Sequence, residues 1–371
     1  MNKSSKKIIL DAYQSSTSIT GTDRMAHNFL VQLQEIDQTN NYVVICSPHN
    51  YIPATITNPN FKVLSPPKLF LPTILVKAIN KLWRVSMYYY LSRKRSNVFY
   101  SFHNMRLPRQ RVAKRMIASN LDLIPIVLDE YKGLGGITPE KQIQIYKDVT
   151  AKADKLVSIS EFSKQQLSEI LDVPISKIDV VHLAPDQQFE LQNTPGRIVK
   201  DDYIFTIGGS EPRKNVKTVI EAYEQLPDDI QQQYKLVIAG GKWHGQKLDY
   251  AANENIIEIG YVPDEDLPGL YANSSVFVFA SVYEGFGFTI LEAMATGTPV
   301  INAKGSSLDE VAGDATLSFQ ATDSAALAAE LEKVLNSQKL RADLTEKGYS
   351  QLQKFSWKES AIKLHQILTD N

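Results

Sequence analysis

Short apolar runs alternate with longer amphipathic stretches along the chain, in two successive rounds. In the first round the runs are KIIL, YVVICS, VFYSF, MIASNLDLI, KLVSIS and KIDVVHL. In the second they are YIFTIGG, YKLVIAGG, IIEIGYV, VFVFAS, PVINA and ATLSF. Short apolar runs bounded by turn residues read as buried strands, and the amphipathic stretches between them as crossover helices. The alternation predicts an α/β protein with two Rossmann-like domains, each a parallel sheet covered by helices on both faces. The polar segment LQNTPGRIVKDD, residues 191–202, is the expected linker. It divides the chain into a first domain at 1–190 and a second at 203–355, and the tail 356–371 reads as a helix that crosses back to the first domain. Ligands of open α/β sheets lie beyond the carboxyl ends of the strands, so a substrate is expected in a cleft faced by both sheets.

A length of 371 residues suits two cores better than one. Cys46 is the only cysteine, which excludes an internal disulfide and suits a reducing compartment; it reads as a small core residue. No apolar run approaches the roughly 18 residues of a membrane span, and MNKSSKKIIL passes directly from a short basic lead into a strand. A cytoplasmic chain, neither membrane-spanning nor exported, is the expectation.

Charge changes this picture. The formal net charge is -1, yet residues 1–190 hold 24 Lys and Arg against 16 Asp and Glu, and the rest of the chain holds 16 against 25. Between Asp37 and Asp122 lie 84 residues with no acid and 13 basic side chains. Within them Lys77, Lys81 and Arg84 recur at helical spacing, Leu75, Ile79 and Leu82 occupy another face, and Trp83, Tyr88, Tyr89, Tyr90, Arg93, Lys94 and Arg95 follow. Two readings stay open. One is a basic amphipathic helix that seats segment 62–115 on an anionic membrane surface, at about 1 kcal/mol per cation. The other is a core-packed helix with a solvated basic face. No nucleic-acid module accompanies the charge, so nucleic acid is not an expected partner.

The stretch SVYEGFGFTILEAMATGTPVI, residues 281–301, carries the sharpest chemistry. A strand over Val276–Ala280 breaks at Gly285 and Gly287, and a helix runs from Phe288 to Thr296 and stops at Gly297. A helix opening after glycines offers unpaired N–H groups and a positive dipole end, which suits a diphosphate. Glu284 before the opening and Glu292 one turn inside are acceptors for the vicinal hydroxyls of a sugar and a ribose. The same acids also serve a helix dipole, so spacing alone leaves both roles open. A matching arrangement begins the second round: strand, Gly208-Gly209 turn, Arg213-Lys214, and a helix from Val216. Taken alone the two cations read as exposed loop residues. Paired with the later turn, they neutralise the charge that develops on a leaving nucleoside diphosphate.

The string EGFGFTILEAMATGTPVI, preceded by GGSEPRKN and GYVPDEDLPGLYANSSVFVFAS, resembles the retaining glycosyltransferases of family four, which have the GT-B fold. The resemblance is strong over 203–360, including GSSLDEVAGDA and FSWKESA, and continues earlier in KADKLVSISEFSKQQL and SKIDVVHLAPD. It implies transfer of a mannose- or glucose-type hexose from a GDP- or UDP-sugar to a glycan or lipid-linked glycan, with retention and with neither metal nor cofactor. It further implies that Arg213 and Lys214 hold the diphosphate, that Glu284 takes the sugar and Glu292 the ribose. Gly209, Gly285, Phe286, Gly287, Phe288 and Thr289 would line the donor, and Tyr261 and Val262 border its base. The acceptor hydroxyl would attack on the face the diphosphate leaves, with a donor phosphate oxygen taking its proton.

The first domain departs from the family. Where many members read HDLIP this chain reads Leu121-Asp122-Leu123-Ile124-Pro125, without the histidine that orients the sugar. His103, in YSFHNMRLP, and Asp122 are the candidate substitutes, and a structural histidine is the competing reading of His103. The loop after the first strand keeps one glycine; Gly21 and Thr22 there are candidate acceptor contacts, or a polar loop with a helix cap. Asp264-Glu265-Asp266 has the form of a metal-binding triplet, but its place after Pro263 and before LPGLY fits a helix start capped by Asp264. The departure at Leu121 keeps a second function class open, a non-catalytic sugar-nucleotide- or glycan-binding partner of another glycosyltransferase. A glycan phosphorylase on the same fold is a third.

Overall fold

The computed structural model describes residues 5–13, 20–47, 52–68, 73–133, 136–189 and 196–370. The chain divides into two units, Met1–Leu183 with Trp357–Asn371, and Ala184–Ser356. Of the expected linker, residues 191–195 lie outside the described set.

The first unit is built on a seven-stranded sheet, with β1 (Lys7–Ala12), β2 (Asn41–Cys46), β3 (Phe61–Leu64), β4 (Ser96–Asn104), β5 (Ala113–Asn120), β6 (Lys155–Ser158) and β7 (Ile178–Val180) in the order β3-β2-β1-β4-β5-β6-β7. All its pairings are parallel, and most of its strand residues are buried, as expected of a sheet covered on both faces. The sequence pattern misses β3. Only Phe61 of that edge strand is fully buried, and its Lys62 interrupts the apolar run. Cys46 is buried at the end of β2, where burial pushes its thiol up to about 12.

The helix Gly21–Ile36 starts at a capping box in which Thr20 and Asp23 satisfy each other's backbone N–H groups. The helix Trp357–Thr369 packs on it, with Trp357 edge-on to Phe29 at 5.3 Å between ring centroids. Beside that contact His365 Nε2 lies 2.9 Å from Asp37 Oδ2.

The helix Thr73–Ser92 spans the basic amphipathic sequence. Tyr88 and Leu91 are buried, and Trp83 and Met87 pack with them against Ile9, Phe99 and Met116. Leu75, Ile79, Leu82, Val85 and Tyr89 are exposed, Leu82 at 69%. The helix therefore enters the core through Trp83, Met87, Tyr88 and Leu91, while the Leu75, Ile79 and Leu82 face stays exposed.

The second unit holds six parallel strands, β8 (Asp202–Ile207), β9 (Tyr234–Ala239), β10 (Ile256–Gly260), β11 (Val276–Phe279), β12 (Val300–Ala303) and β13 (Leu317–Phe319), in the order β10-β9-β8-β11-β12-β13. Ile204, Leu236, Ile238, Val276, Val278 and Ile301 share one core with the helices Val216–Glu224 and Ser324–Leu335. The alternate residues Phe205 and Phe277 meet Tyr271 edge-on, at 5.3 and 4.9 Å. Strand order reverses between β1 and β4 in one sheet and between β8 and β11 in the other. A doubly wound sheet opens its ligand crevice at such a reversal, beyond the carboxyl ends.

Candidate active site

The reversal in the second sheet is where the two sequence constellations meet. Gly208 and Gly209 follow β8, and their N–H groups bond the carbonyl of Ala239 at 2.9 and 3.0 Å. Gly208 has φ +148, and a Cβ there would lie 2.3 Å from the Lys214 Cβ. Only glycine lets the chain double back so closely. Pro212–Lys214 forms a single 3-10 turn, Asn215 follows at φ 54, and the Asn215 side-chain amide donates to the carbonyls of Ala280 and Ala321. The loop after β11 is tied to the same turn, since Val282 N donates to the Arg213 carbonyl at 2.9 Å.

Arg213, Lys214 and Glu284 therefore converge. Lys214 Nζ donates to Glu284 Oε1 at 2.8 Å, Arg213 Nη1 pairs with the same oxygen, and Ser281 Oγ donates to it at 2.8 Å. Burial by itself would push the Glu284 carboxyl up, but Lys214, Arg213 and the hydrogen bonds from Lys214 and Ser281 hold it below its ordinary value. Arg213 also pairs with Glu211 at 2.9 Å and donates to the Tyr283 carbonyl at 3.0 Å. Lys214 Nζ lies 4.8 Å from the Phe279 ring centroid. The two cations differ as a result. The Arg213 fork is spent largely on holding the loops, whereas a lysine ammonium has three N–H groups and one of Lys214's is used on Glu284. Lys214 thus presents a fixed positive charge with donor capacity for an anion, positioned before any ligand arrives.

Gly287 precedes the helix Phe288–Ala295 with φ +136. Its Cβ would lie 3.2 Å from Leu308 Cδ2, so both backbone conformation and internal packing call for glycine there. Gly285 and Phe286 are buried, and Phe286 packs edge-on to Phe288 and Phe355. Thr289 Oγ1, in the first turn, is buried without a hydrogen-bond partner. Glu292 does not join the Arg213, Lys214 and Glu284 group. It is 2% exposed, and its carboxylate accepts from the Tyr271 hydroxyl at 3.2 Å. Tyr261 and Val262 follow the carboxyl end of β10, and Tyr261 is 80% exposed. Asp264 does not cap a helix: the helix is Leu267–Ala272, its N-cap residue is Asp266, and no side chain caps it.

Sequence reading passed over Ser281, Ser307 and Glu211. Ser307 Oγ donates to the Glu284 carbonyl at 2.9 Å, so it fixes the turn from below. The signal for Ser281 was its place three residues before Glu284 at a strand end. Ser307 lies 23 residues after Glu284 and carried no local signal.

In the first unit His103 ends up near the carboxyl end of β4, 6% exposed; its Nε2 lies 3.9 Å from Asp11 Oδ1 and has no hydrogen-bond partner among the described residues. Burial holds its pKa below the ordinary value, against the opposing pull of Asp11. Asp11 also accepts from the Tyr88 hydroxyl at 2.5 Å. Asp122 follows β5. Its Oδ1 accepts from Ile124 N at 3.1 Å and from Asn104 Nδ2 at 3.3 Å, which organises the turn around Leu121. Gly21 and Thr22 open the helix Gly21–Ile36, and residues 14–19 before them lie outside the described set.

Residues 187–351 match the model of the family described as glycosyl transferases group 1. The O-antigen chain mannosyltransferase B of Escherichia coli is 34% identical over 220 residues, 55% of this chain and 58% of that one. The serotype-specific mannosyltransferase WbdA of Escherichia coli is 29% identical over 280 residues, 70% of this chain but only 34% of that one. Among solved structures, the Anabaena protein HepE in complex with UDP-glucose superposes with a TM-score of 0.70 over 98% of this chain and 99% of that one, at 14% identity. The matched stretches thus span less than two thirds of these mannosyltransferases, while the fold match spans nearly the whole chain. Two parallel Rossmann-like sheets of the GT-B type build the chain, and residues 187–351 of the second unit are similar to the group 1 glycosyl transferases.

Proposed function

We propose that this protein transfers a mannose-type hexose from a GDP- or UDP-sugar to a hydroxyl of a glycan or lipid-linked glycan, with retention of configuration and without a metal, in cell-surface polysaccharide synthesis. The observation that carries the reading is the joining of Arg213, Lys214 and Glu284 at the β8/β11 reversal, beside a helix opening at Gly287. A fixed ammonium and a helix N-terminus stabilise a departing diphosphate, and Glu284 accepts sugar hydroxyls from the same hub. Thr289 Oγ1, buried and without a partner, supplies one more donor in that turn. The mannose-type sugar and the polysaccharide setting are supported by what the two Escherichia coli relatives are named for, and a nucleotide-sugar donor by the UDP-glucose in the HepE complex.

The same reading places the protein on the cytoplasmic face of a membrane. No helix among the described residues is long and apolar enough to cross one. The exposed stripe Leu75, Ile79, Leu82, Val85 and Tyr89, with Lys81, Arg93 and Lys94 alongside, supports an interfacial helix.

A thermal-shift panel of nucleotide sugars tests the donor, followed by donor hydrolysis without acceptor. The reading expects one nucleotide class to stabilise the protein and slow release of nucleoside diphosphate that disappears in Lys214→Ala. Loss of transfer in excess chelator, restored by manganese or magnesium, would overturn metal independence. The engagement of Asp122 in a turn and the burial of His103 favour a second reading, a non-catalytic sugar-nucleotide-binding partner. Stabilisation by a nucleotide sugar with neither hydrolysis nor transfer would select it.

A further inference from the structure

Between the helix Thr73–Ser92 and the segment that follows β4 lies a pocket of about 440 Å³. Its lining includes Lys81, Arg84, Arg106 and Arg109 and, among the described residues, no carboxylate. The sequence accounts for this, because the whole pocket is drawn from the acid-free stretch between Asp37 and Asp122. Arg106 Nη2 is buried with no hydrogen-bond partner, and a guanidinium N–H in that state is costly without an acceptor. Arg84 lies over the Tyr13 ring, 5.4 Å from its centroid, and Arg109 is exposed at the mouth. One carboxylate lies behind this lining, Asp11, which accepts from the Tyr88 hydroxyl; four cations against that single buried acid leave an excess of positive charge, and an anion relieves it. Arg forks are matched to phosphate oxygens in particular.

We infer that this pocket is a binding site for a phosphate or diphosphate group carried at a lipid surface. Val85 belongs both to the pocket lining and to the exposed apolar stripe of the helix, so a headgroup held by Arg106 and Arg109 sits where that stripe meets acyl chains. The segment Arg106–Gln110 directly follows the carboxyl end of β4, at the edge of the sheet where ligands of this architecture lie. The inference deepens the membrane part of the proposed function and rests on it. The pocket is the specific component, and the helix face the general one.

The test uses the full chain and three vesicle compositions: phosphatidylcholine alone, and phosphatidylcholine with phosphatidylglycerol or with phosphatidic acid at matched surface charge. Phosphatidic acid exposes a phosphomonoester, phosphatidylglycerol only a diester. The wild type is expected to bind the phosphatidic acid vesicles about tenfold more tightly, the equivalent of one charge-assisted contact. Arg106→Gln with Arg109→Gln removes the preference, and Arg109→Gln alone, at an exposed position, reduces it without risk to the fold. A parallel titration with inorganic pyrophosphate, in the Lys214→Ala background to weaken the proposed donor site, separates a soluble anion from a lipid headgroup. Arg106-dependent pyrophosphate binding with no vesicle preference assigns the pocket to a soluble phosphate. Binding to no anionic vesicle overturns the membrane reading and leaves the pyrophosphate arm to decide the pocket. Equal vesicle binding together with pyrophosphate binding indifferent to Arg106 and Arg109 overturns the site.

Discussion

Glu284 Oε1 accepts the Lys214 ammonium at 2.8 Å across 70 positions of sequence, joining the carboxyl ends of β11 and β8. That one contact brings two loops into a single cluster, the proposed donor site.

Lys214 and Arg213 should separate in mutagenesis. Lys214→Ala removes a preorganised charge but leaves the Arg213 network standing, so turnover should fall by about 10² to 10³ with a small change in melting temperature. Arg213→Ala breaks a largely buried network with Glu211, Glu284 and Tyr283, and should cost about 3 kcal/mol of stability as well as activity. Steady-state kinetics and thermal melts on both variants check this; equal destabilisation would remove the distinction.

Gly208→Ala forces a Cβ into the space of the Lys214 Cβ at a left-handed φ. Activity should drop to the level of Lys214→Ala, with stability reduced by about 1 to 3 kcal/mol. Wild-type turnover in that variant would show that the Gly208 turn does not position Lys214.

Acid should weaken each unit through one carboxyl. Asp37 is buried, yet hydrogen bonds from His365, Tyr42, Asn40 and Thr39 hold it well below its ordinary value, and Glu284 is held down by Lys214 and Arg213. A carboxyl whose folded pKa is depressed stabilises the native state fully above its unfolded value, near pH 4, and that stability is lost as pH falls from there through the folded pKa. Melting temperature should fall between about pH 4 and pH 2, and less steeply in Asp37→Asn, which starts lower at pH 7. Identical acid profiles for the variant and the wild type would count against Asp37 as the titrating group.

His365→Ala should loosen the last helix from the first unit. The substitution removes the 2.9 Å contact to Asp37 while Trp357 keeps its place against Phe29. Amide exchange in Trp357–Thr369 should accelerate with little change elsewhere, which hydrogen exchange with mass analysis would measure.

Leu82→Gln with Val85→Gln alters only exposed positions of the helix Thr73–Ser92. Vesicle binding should weaken severalfold at an unchanged melting temperature if the stripe lies in an interface. Flotation and a thermal melt together decide it.

The two parallel sheets are legible in the linear pattern, because buried strands need unbroken apolar runs and crossover helices need amphipathic ones. So are the strand, turn and helix around Glu284 and around Lys214, since glycine at 208 and 287 and the apolar runs before them act locally. Only β3, at the sheet edge with a single fully buried residue, escaped that signal. What the tertiary structure decided are relations between distant positions. The face of the Thr73–Ser92 helix that packs is set by Trp83, Met87, Tyr88 and Leu91 meeting β1, β4 and β5, not by the Leu75, Ile79 and Leu82 periodicity. Arg213 and Lys214 differ because Glu211, Tyr283 and Ser281 fold around them, and Arg106 joins Lys81 and Arg84 only because the segment after β4 lies beside the helix. A linear pattern records which residues want burial or charge; which partners they meet depends on strand order, and strand order is a property of the packed sheet.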